Sequence, residues 1–198
     1  MRRLVLALVL PLLLTLAACD GGKPDAAKDT FKLTDVTGAG FGRDFQLTDH
    51  EGRPRTLADF RGKIVVMFFG YTHCPDVCPT TLSELATVAR ELGPDAEKMQ
   101  VLFVTVDPER DTPTLLKQYV PAFNPSFLGL RGEPDATLKV AKEFKIFYQK
   151  QTTSGGGYTM DHSAGTYVFD REGRLRLFGQ YGAGAPALLH DIRVLLAS

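Results

Sequence analysis

An α/β domain, with a central mixed sheet flanked by helices, is what the sequence predicts, on three observations. Residues 64–69 (IVVMFF) and 101–106 (VLFVTV) are apolar without interruption, as strands buried on both faces must be. Segments with apolar residues at helical spacing alternate with them, the pattern of a parallel sheet built through helical crossovers. Near the C-terminus the order changes: residues 166–169 and 175–178 flank the turn sequence Asp170-Arg171-Glu172-Gly173, which adds an antiparallel hairpin.

The chain opens with MRRLVLALVLPLLLTLAAC. Two arginines precede an apolar run over residues 4–18, shorter than the roughly 20 residues that span a bilayer, and this layout is that of a secretory signal. Its end, Leu16-Ala17-Ala18-Cys19, resembles the lipobox of bacterial lipoproteins. That resemblance implies a signal peptide over 1–18 and an acylated Cys19 as the mature N-terminus. Several acyl chains on one residue exceed what stable membrane attachment needs. Asp20 resembles the signal that retains such proteins at the inner membrane of diderm bacteria. Residues 19–39 are then expected to form a lipidated, flexible tether, because residues 20–28 are rich in Gly, Pro, Ala, Lys and Asp without apolar period. The folded domain is expected over 40–198. Its expected location is extracytoplasmic, anchored to the cell membrane, on the periplasmic face of the inner membrane if the cell has two.

Within that domain, Phe45-Gln46-Leu47 followed by Asp49-His50-Glu51-Gly52 predicts a small hairpin. After the first buried strand, Leu82, Leu85, Val88 or Ala89, and Leu92 mark a helix over 80–92, closed by Gly93-Pro94. A second helix is expected over 112–123, with Asp111 or Thr112 as its cap and Pro113 in its first turn. A short strand over 127–130 and a helix over 135–144 follow, the latter with Leu138, Ala141 and Phe144 on one face and Val140 beside them. Residues 146–149 read as strand, 152–157 as a polar, Gly-rich loop, and 185–196 as a closing helix. The order strand–helix–strand–helix, then hairpin–helix, is that of a thioredoxin-like fold with insertions.

Charge excludes one class of function. Lys and Arg number 23 against 23 Asp and Glu, and loss of Arg2 and Arg3 with the leader leaves about −2. No basic cluster exists to hold a nucleic acid.

Three cysteines remain to be placed. With Cys19 committed to processing, Cys74 and Cys78 are the thiols of the folded body, four residues apart. They lie in the segment joining the first buried strand to the first long helix, beyond the carboxyl end of a strand, where open α/β sheets bind ligands. Pro75 and Pro79 stop a helix before this turn but allow one to begin there. A helical turn puts both cysteines on one face, and the partial positive charge at the helix start favours thiolate.

Three readings compete for the pair. A structural disulfide here closes so short a loop that it contributes only about 2 kcal/mol. A dithiol oxidoreductase usually separates its cysteines by two residues, and here there are three. The third is a metal site, and His162 favours it. In thioredoxin-like oxidoreductases the loop entering the strand opposite the cysteines normally carries a cis-proline. Here that position offers Asp161-His162-Ser163, with no proline between Phe127 and Pro186 except the distant Pro134. Two thiolates and an imidazole suit copper, above all Cu(I) with three ligands, whereas zinc would want a fourth.

The motifs YTHCPDVCPTTLSEL (residues 71–85), Val106-Asp107-Pro108-Glu109-Arg110-Asp111-Thr112-Pro113 and Asp161-His162-Ser163 resemble the Sco/SenC family of copper-binding assembly factors, in the right order and over about residues 40–196. The resemblance implies one copper, as Cu(I), Cu(II) or both in turn, held by Cys74, Cys78 and His162. It also implies a metallochaperone that matures the dinuclear CuA centre of cytochrome c oxidase, its partner being the CuA-bearing subunit. Another copper chaperone or a thioredoxin-like reductant is a further candidate partner. The alternative is an enzyme: a thiol–disulfide reductase using Cys74 and Cys78 as its redox pair on cysteines of the oxidase subunit or another exported protein.

Other residues receive plainer expectations. His73 points away from its neighbour Cys74, His50 and His190 are expected in solvent, and Met67 in the core. Met160, two residues before His162, is a candidate neighbour of the metal. Asp161 is expected to tune the site rather than ligate, being a hard donor for Cu(I). The Asp107–Asp111 segment reads as a charge-satisfied loop or a docking surface. The glycines of 152–157 suggest a loop on which His162 could swing.

Overall fold

The computed structural model describes residues 31–198, so Cys19, the leader and the first part of the expected tether lie outside the described residues. Strands β1 (Thr34–Asp35), β2 (Leu47–Asp49), β3 (Pro54–Arg55), β4 (Ile64–Gly70), β5 (Met99–Thr105), β6 (Leu128–Arg131), β9 (Gly165–Phe169) and β10 (Leu175–Gln180) form one sheet in the order β1-β10-β9-β4-β5-β6-β2-β3. The β4–β5 and β5–β6 pairs are parallel and the others antiparallel. Helices α1 (Val77–Leu92), α2 (Pro113–Tyr119), α3 (Pro134–Glu143) and α4 (Gly184–Ala197) complete the domain. This is the predicted α/β architecture of thioredoxin-like type. A second sheet, β7 (Tyr148–Thr152) with β8 (Tyr158–His162), is the main insertion.

The two apolar runs are the centre of the sheet. Every residue of β4 and β5 is buried, because neighbours lie on both edges and side chains or helices cover both faces. Alternation along β4 sends Phe68 against Phe103 of β5, which stacks on Tyr119 of α2. The next residue, Phe69, points the other way, against Phe144 and Tyr167. Pro113 sits in the first turn of α2, and the Thr112 hydroxyl accepts the Leu115 N–H, as a helix cap should.

Several expectations need correction. The fold begins before residue 40: Leu33 is buried and β1 pairs with β10, so residues 31–39 belong to the body. What fixes them is the buried Asp191 of α4, whose carboxylate accepts the N–H groups of Lys32 and Leu33 at 2.8–3.0 Å. Leu138 faces solvent, and α3 instead buries Thr137, Val140 and Ala141, with Phe144 just beyond, the i, i+3, i+4, i+7 face. His50 is buried rather than solvated. Its Nδ1 accepts the Gly129 N–H at 3.0 Å, and burial pushes its pKa down. His190 is only part-exposed and lies 2.7 Å from Asp191.

Candidate metal centre

The site grows from the carboxyl end of β4. The strand delivers the chain to Gly70, residues 71–76 turn, and α1 starts at Val77, three residues earlier than the apolar spacing indicated. Cys74 therefore precedes the helix, in a turn closed by its N–H to the Tyr71 carbonyl at 3.3 Å, while Cys78 lies in the first helical turn. Both thiols are free; Cys78 is fully buried and Cys74 part-exposed.

His162 is the last residue of β8, not part of a loop. On β8, Thr159 and Asp161 face out, whereas Tyr158, Met160 and His162 face the body. The His162 Nε2 lies 3.7 Å from the Cys78 Sγ. Its Nδ1 donates to the Ser163 carbonyl, 3.0 Å away, which leaves Nε2 as the ring nitrogen turned toward the sulfurs. Tyr71 and Phe68 pack edge-on against the imidazole, with centroids 5.8 and 6.5 Å away. The ligand atoms of Cys74, Cys78 and His162 all lie within 4.8 Å of one another. Residues separated by more than eighty positions thus converge on a volume that one ion can fill.

The two thiols differ in charge. A hydrogen bond from the Cys78 thiol holds Cys74 down at about 5 against burial, helped by the backbone N–H groups of Asp76 and Cys78 and by His162. The same bond, together with burial, pushes Cys78 far up. Near neutral pH the pair thus carries one thiolate, outward, and one thiol, inward. The sign for reactivity follows: in reduced protein, alkylation of Cys74 by iodoacetamide should rise with pH through about 5 and level off above it, with Cys78 unlabelled throughout. Peptide mapping of the adducts checks this, and a half-rise near the ordinary thiol pKa of about 8.5 would contradict it.

Four supporting features have roles that the sequence pattern does not reveal. Gly70 is needed because a Cβ there would lie 2.7 Å from the Cys78 Sγ. Asp111 is fully buried and accepts the Thr72 N–H at 3.0 Å, the Thr72 hydroxyl at 2.6 Å and the Thr105 hydroxyl at 2.6 Å, which pins the cysteine loop to the end of β5. Burial pushes its pKa up. The Tyr119 hydroxyl is buried without a hydrogen-bond partner among the described residues. The strand character of β8 was hidden behind the glycines at 155–157.

The remaining candidates separate cleanly. His73 is exposed, with Nδ1 3.1 Å from the Thr72 hydroxyl. Met67 is core, as expected, and Met160 is also buried in it. Asp161 points away from the site on the outer face of β8. The Asp107–Asp111 segment is the charge-satisfied loop, with Asp107 paired to Arg110 and bonded by the Tyr158 hydroxyl.

A family model described as SCO1/SenC matches residues 33–197. A mouse protein, "Protein SCO2 homolog, mitochondrial", is 37% identical over 158 residues, which cover 78% of this chain and 62% of that protein. The chain spans less than two thirds of the length of the curated relatives it matches first. The structure of Bradyrhizobium japonicum ScoI with copper bound aligns with a TM-score of 0.72 and 42% identity, covering 78% of this chain and 99% of that one. The solution structure of apo Sco1 from Thermus thermophilus gives 0.76 and 43%, covering 85% and 99%.

Proposed function

We infer the function from one fixed premise, that this chain belongs to the SCO1/SenC family. It is a copper metallochaperone that binds one copper ion through Cys74, Cys78 and His162 and delivers it for assembly of the CuA centre of cytochrome c oxidase. The observation that carries this reading is the convergence of two cysteine sulfurs and one imidazole nitrogen within 4.8 Å. Sulfur donors with an imidazole are a soft set matched to Cu(I), and the related Bradyrhizobium protein is described with copper bound.

The protein's own groups divide the work. The Cys74 thiolate, part-exposed, is where an incoming ion is first met. Coordination then displaces the Cys78 proton, so loading releases about one proton per ion near neutral pH. His162 supplies the third donor from a strand rather than from the cysteine loop, so it can be exchanged for a ligand of the recipient while the two sulfurs still hold the ion. The tether would keep this domain at the membrane where the CuA-bearing subunit sits, with Cys19 lipidated and the body on the extracytoplasmic side.

One observation favours a second reading. A part-exposed low-pKa thiolate beside a buried thiol is the asymmetry a dithiol reductant uses. Cys74 would attack a partner's disulfide and release one partner thiolate. Cys78 would then give up its proton and displace the other partner sulfur, leaving a Cys74–Cys78 disulfide while the partner takes up the two electrons. His162→Ala separates the two. The chaperone loses Cu(I) affinity by about 100-fold or more, beyond what loss of a supporting contact costs, and oxidase maturation fails with it. If maturation survives in cells carrying this variant, the reductase reading replaces the chaperone.

A further inference from the structure

The β7–β8 hairpin that carries His162 is not part of the main sheet. Its strands pair only with each other, from Tyr148↔His162 to Thr152↔Tyr158. A two-stranded hairpin is marginally stable in water by itself, so contacts to the body must hold it where His162 meets the cysteines. At the end of β8 remote from His162, those contacts gather on Arg110. Its guanidinium lies 3.7 Å from the centre of the Tyr158 ring, and its Nη1 donates to the Tyr158 carbonyl at 2.9 Å. Its Nε donates to one oxygen of Asp107, whose other oxygen accepts the Tyr158 hydroxyl at 2.9 Å. Lys150 of β7 adds a more exposed clasp, 2.7 Å from Glu109.

Arg110 is placed for more than a surface ion pair. Its Nη2 is buried without a hydrogen-bond partner among the described residues, a cost that an exposed arginine would avoid. It also lies 5.7 Å from the ring of Tyr71, the residue that packs on the His162 imidazole. The turn that bears Arg110 is itself fixed to the cysteine loop by Asp111 and Thr72. Cysteine loop, Asp107–Asp111 turn and β8 thus form one connected body.

We propose that Arg110 is a positioning residue for the third metal ligand: by clamping Tyr158 against Asp107 it holds β8, and through β8 the His162 imidazole, over the cysteine pair. The ligand role of His162 rests on the function proposed above; the clamp itself does not. Releasing it removes the anchor at the Tyr158 end of β8 and loosens the seat of His162 while the two sulfurs stay in place, which is the difference between a three-donor and a two-donor site.

The test uses Arg110→Ala and, because Tyr158 lies on the hairpin rather than in the core, Tyr158→Ala. In reduced, metal-free protein, amide hydrogen exchange across Thr159–His162 should quicken by about tenfold or more in both variants, with β4 and β9 unchanged. Loaded with Cu(I), both should bind about 10- to 100-fold more weakly, and X-ray absorption should show the imidazole nitrogen lost and two sulfurs kept. Arg110→Lys, which keeps the charge beside Asp107 but not the grip on Tyr158, should fall between. Unchanged exchange in β8 with an intact nitrogen signal overturns the proposal, as does equal quickening in every strand. If the unaltered protein takes no copper, the function proposed above fails, and the exchange measurement alone still decides the clamp.

Discussion

Cys78→Ser should abolish high-affinity copper binding while leaving the fold intact. Serine is close to cysteine in size, but its hydroxyl stays protonated in the physiological range and is a hard donor where a soft one is needed. Cys78 is fully buried, and its sulfur is 3.7 Å from the His162 nitrogen, so no other side chain can take its place without moving β4 or α1. The remaining Cys74 and His162 make a two-donor site, and Cu(I) affinity should fall by well over the roughly 100-fold that loss of a supporting contact costs. The urea midpoint should move little, since the buried hydroxyl can donate where the thiol donated, to the Cys74 sulfur. A competition titration against a Cu(I) chelator measures the first effect. Retained affinity would place the ion elsewhere.

The second large effect is expected at a residue that can never touch the metal. Gly70→Ala introduces a Cβ 2.7 Å from the Cys78 sulfur, 2.9 Å from the Phe103 ring and 3.0 Å from the Phe68 ring. Something has to yield, and two of these neighbours are aromatic rings wedged in the fully buried centre of the sheet. Overpacking of this kind costs about 1–3 kcal/mol. The cheapest relief is to push the Cys78 side chain, and with it the start of α1, away from β4. Copper affinity should therefore drop together with stability. Thermal unfolding and the same chelator competition check both, and a variant with wild-type affinity would show that the site tolerates displacement of its buried sulfur.

That glycine illustrates what the sequence could and could not convey. Buried strands announce themselves through continuous apolar runs, so β4 and β5 were legible, as were the cysteine pair at a strand end and the histidine near the opposite strand. Gly70 has no side chain to signal its role; its importance lies in the space it leaves for Cys78. His50 read as a turn residue in solvent, because nothing local reveals that a backbone N–H from β6 needs its ring nitrogen. Residues 31–39 read as tether because their anchor, Asp191, lies at the far end of the chain. The β8 strand was missed for a different reason. Its inward residues Tyr158, Met160 and His162 do alternate with outward ones, but three glycines precede them and the strand joins no large sheet. Those glycines lie in the turn of a paired hairpin that sets Tyr148 opposite His162 and is clasped to the body at its other end.

The decisive measurement is X-ray absorption at the copper edge on fully reduced protein loaded anaerobically with one equivalent of Cu(I). The account predicts two sulfur scatterers and one imidazole nitrogen around a single ion, with uptake saturating at one per chain. Sulfur-only coordination, or an ion that binds with Cys74 still open to alkylation, would contradict it.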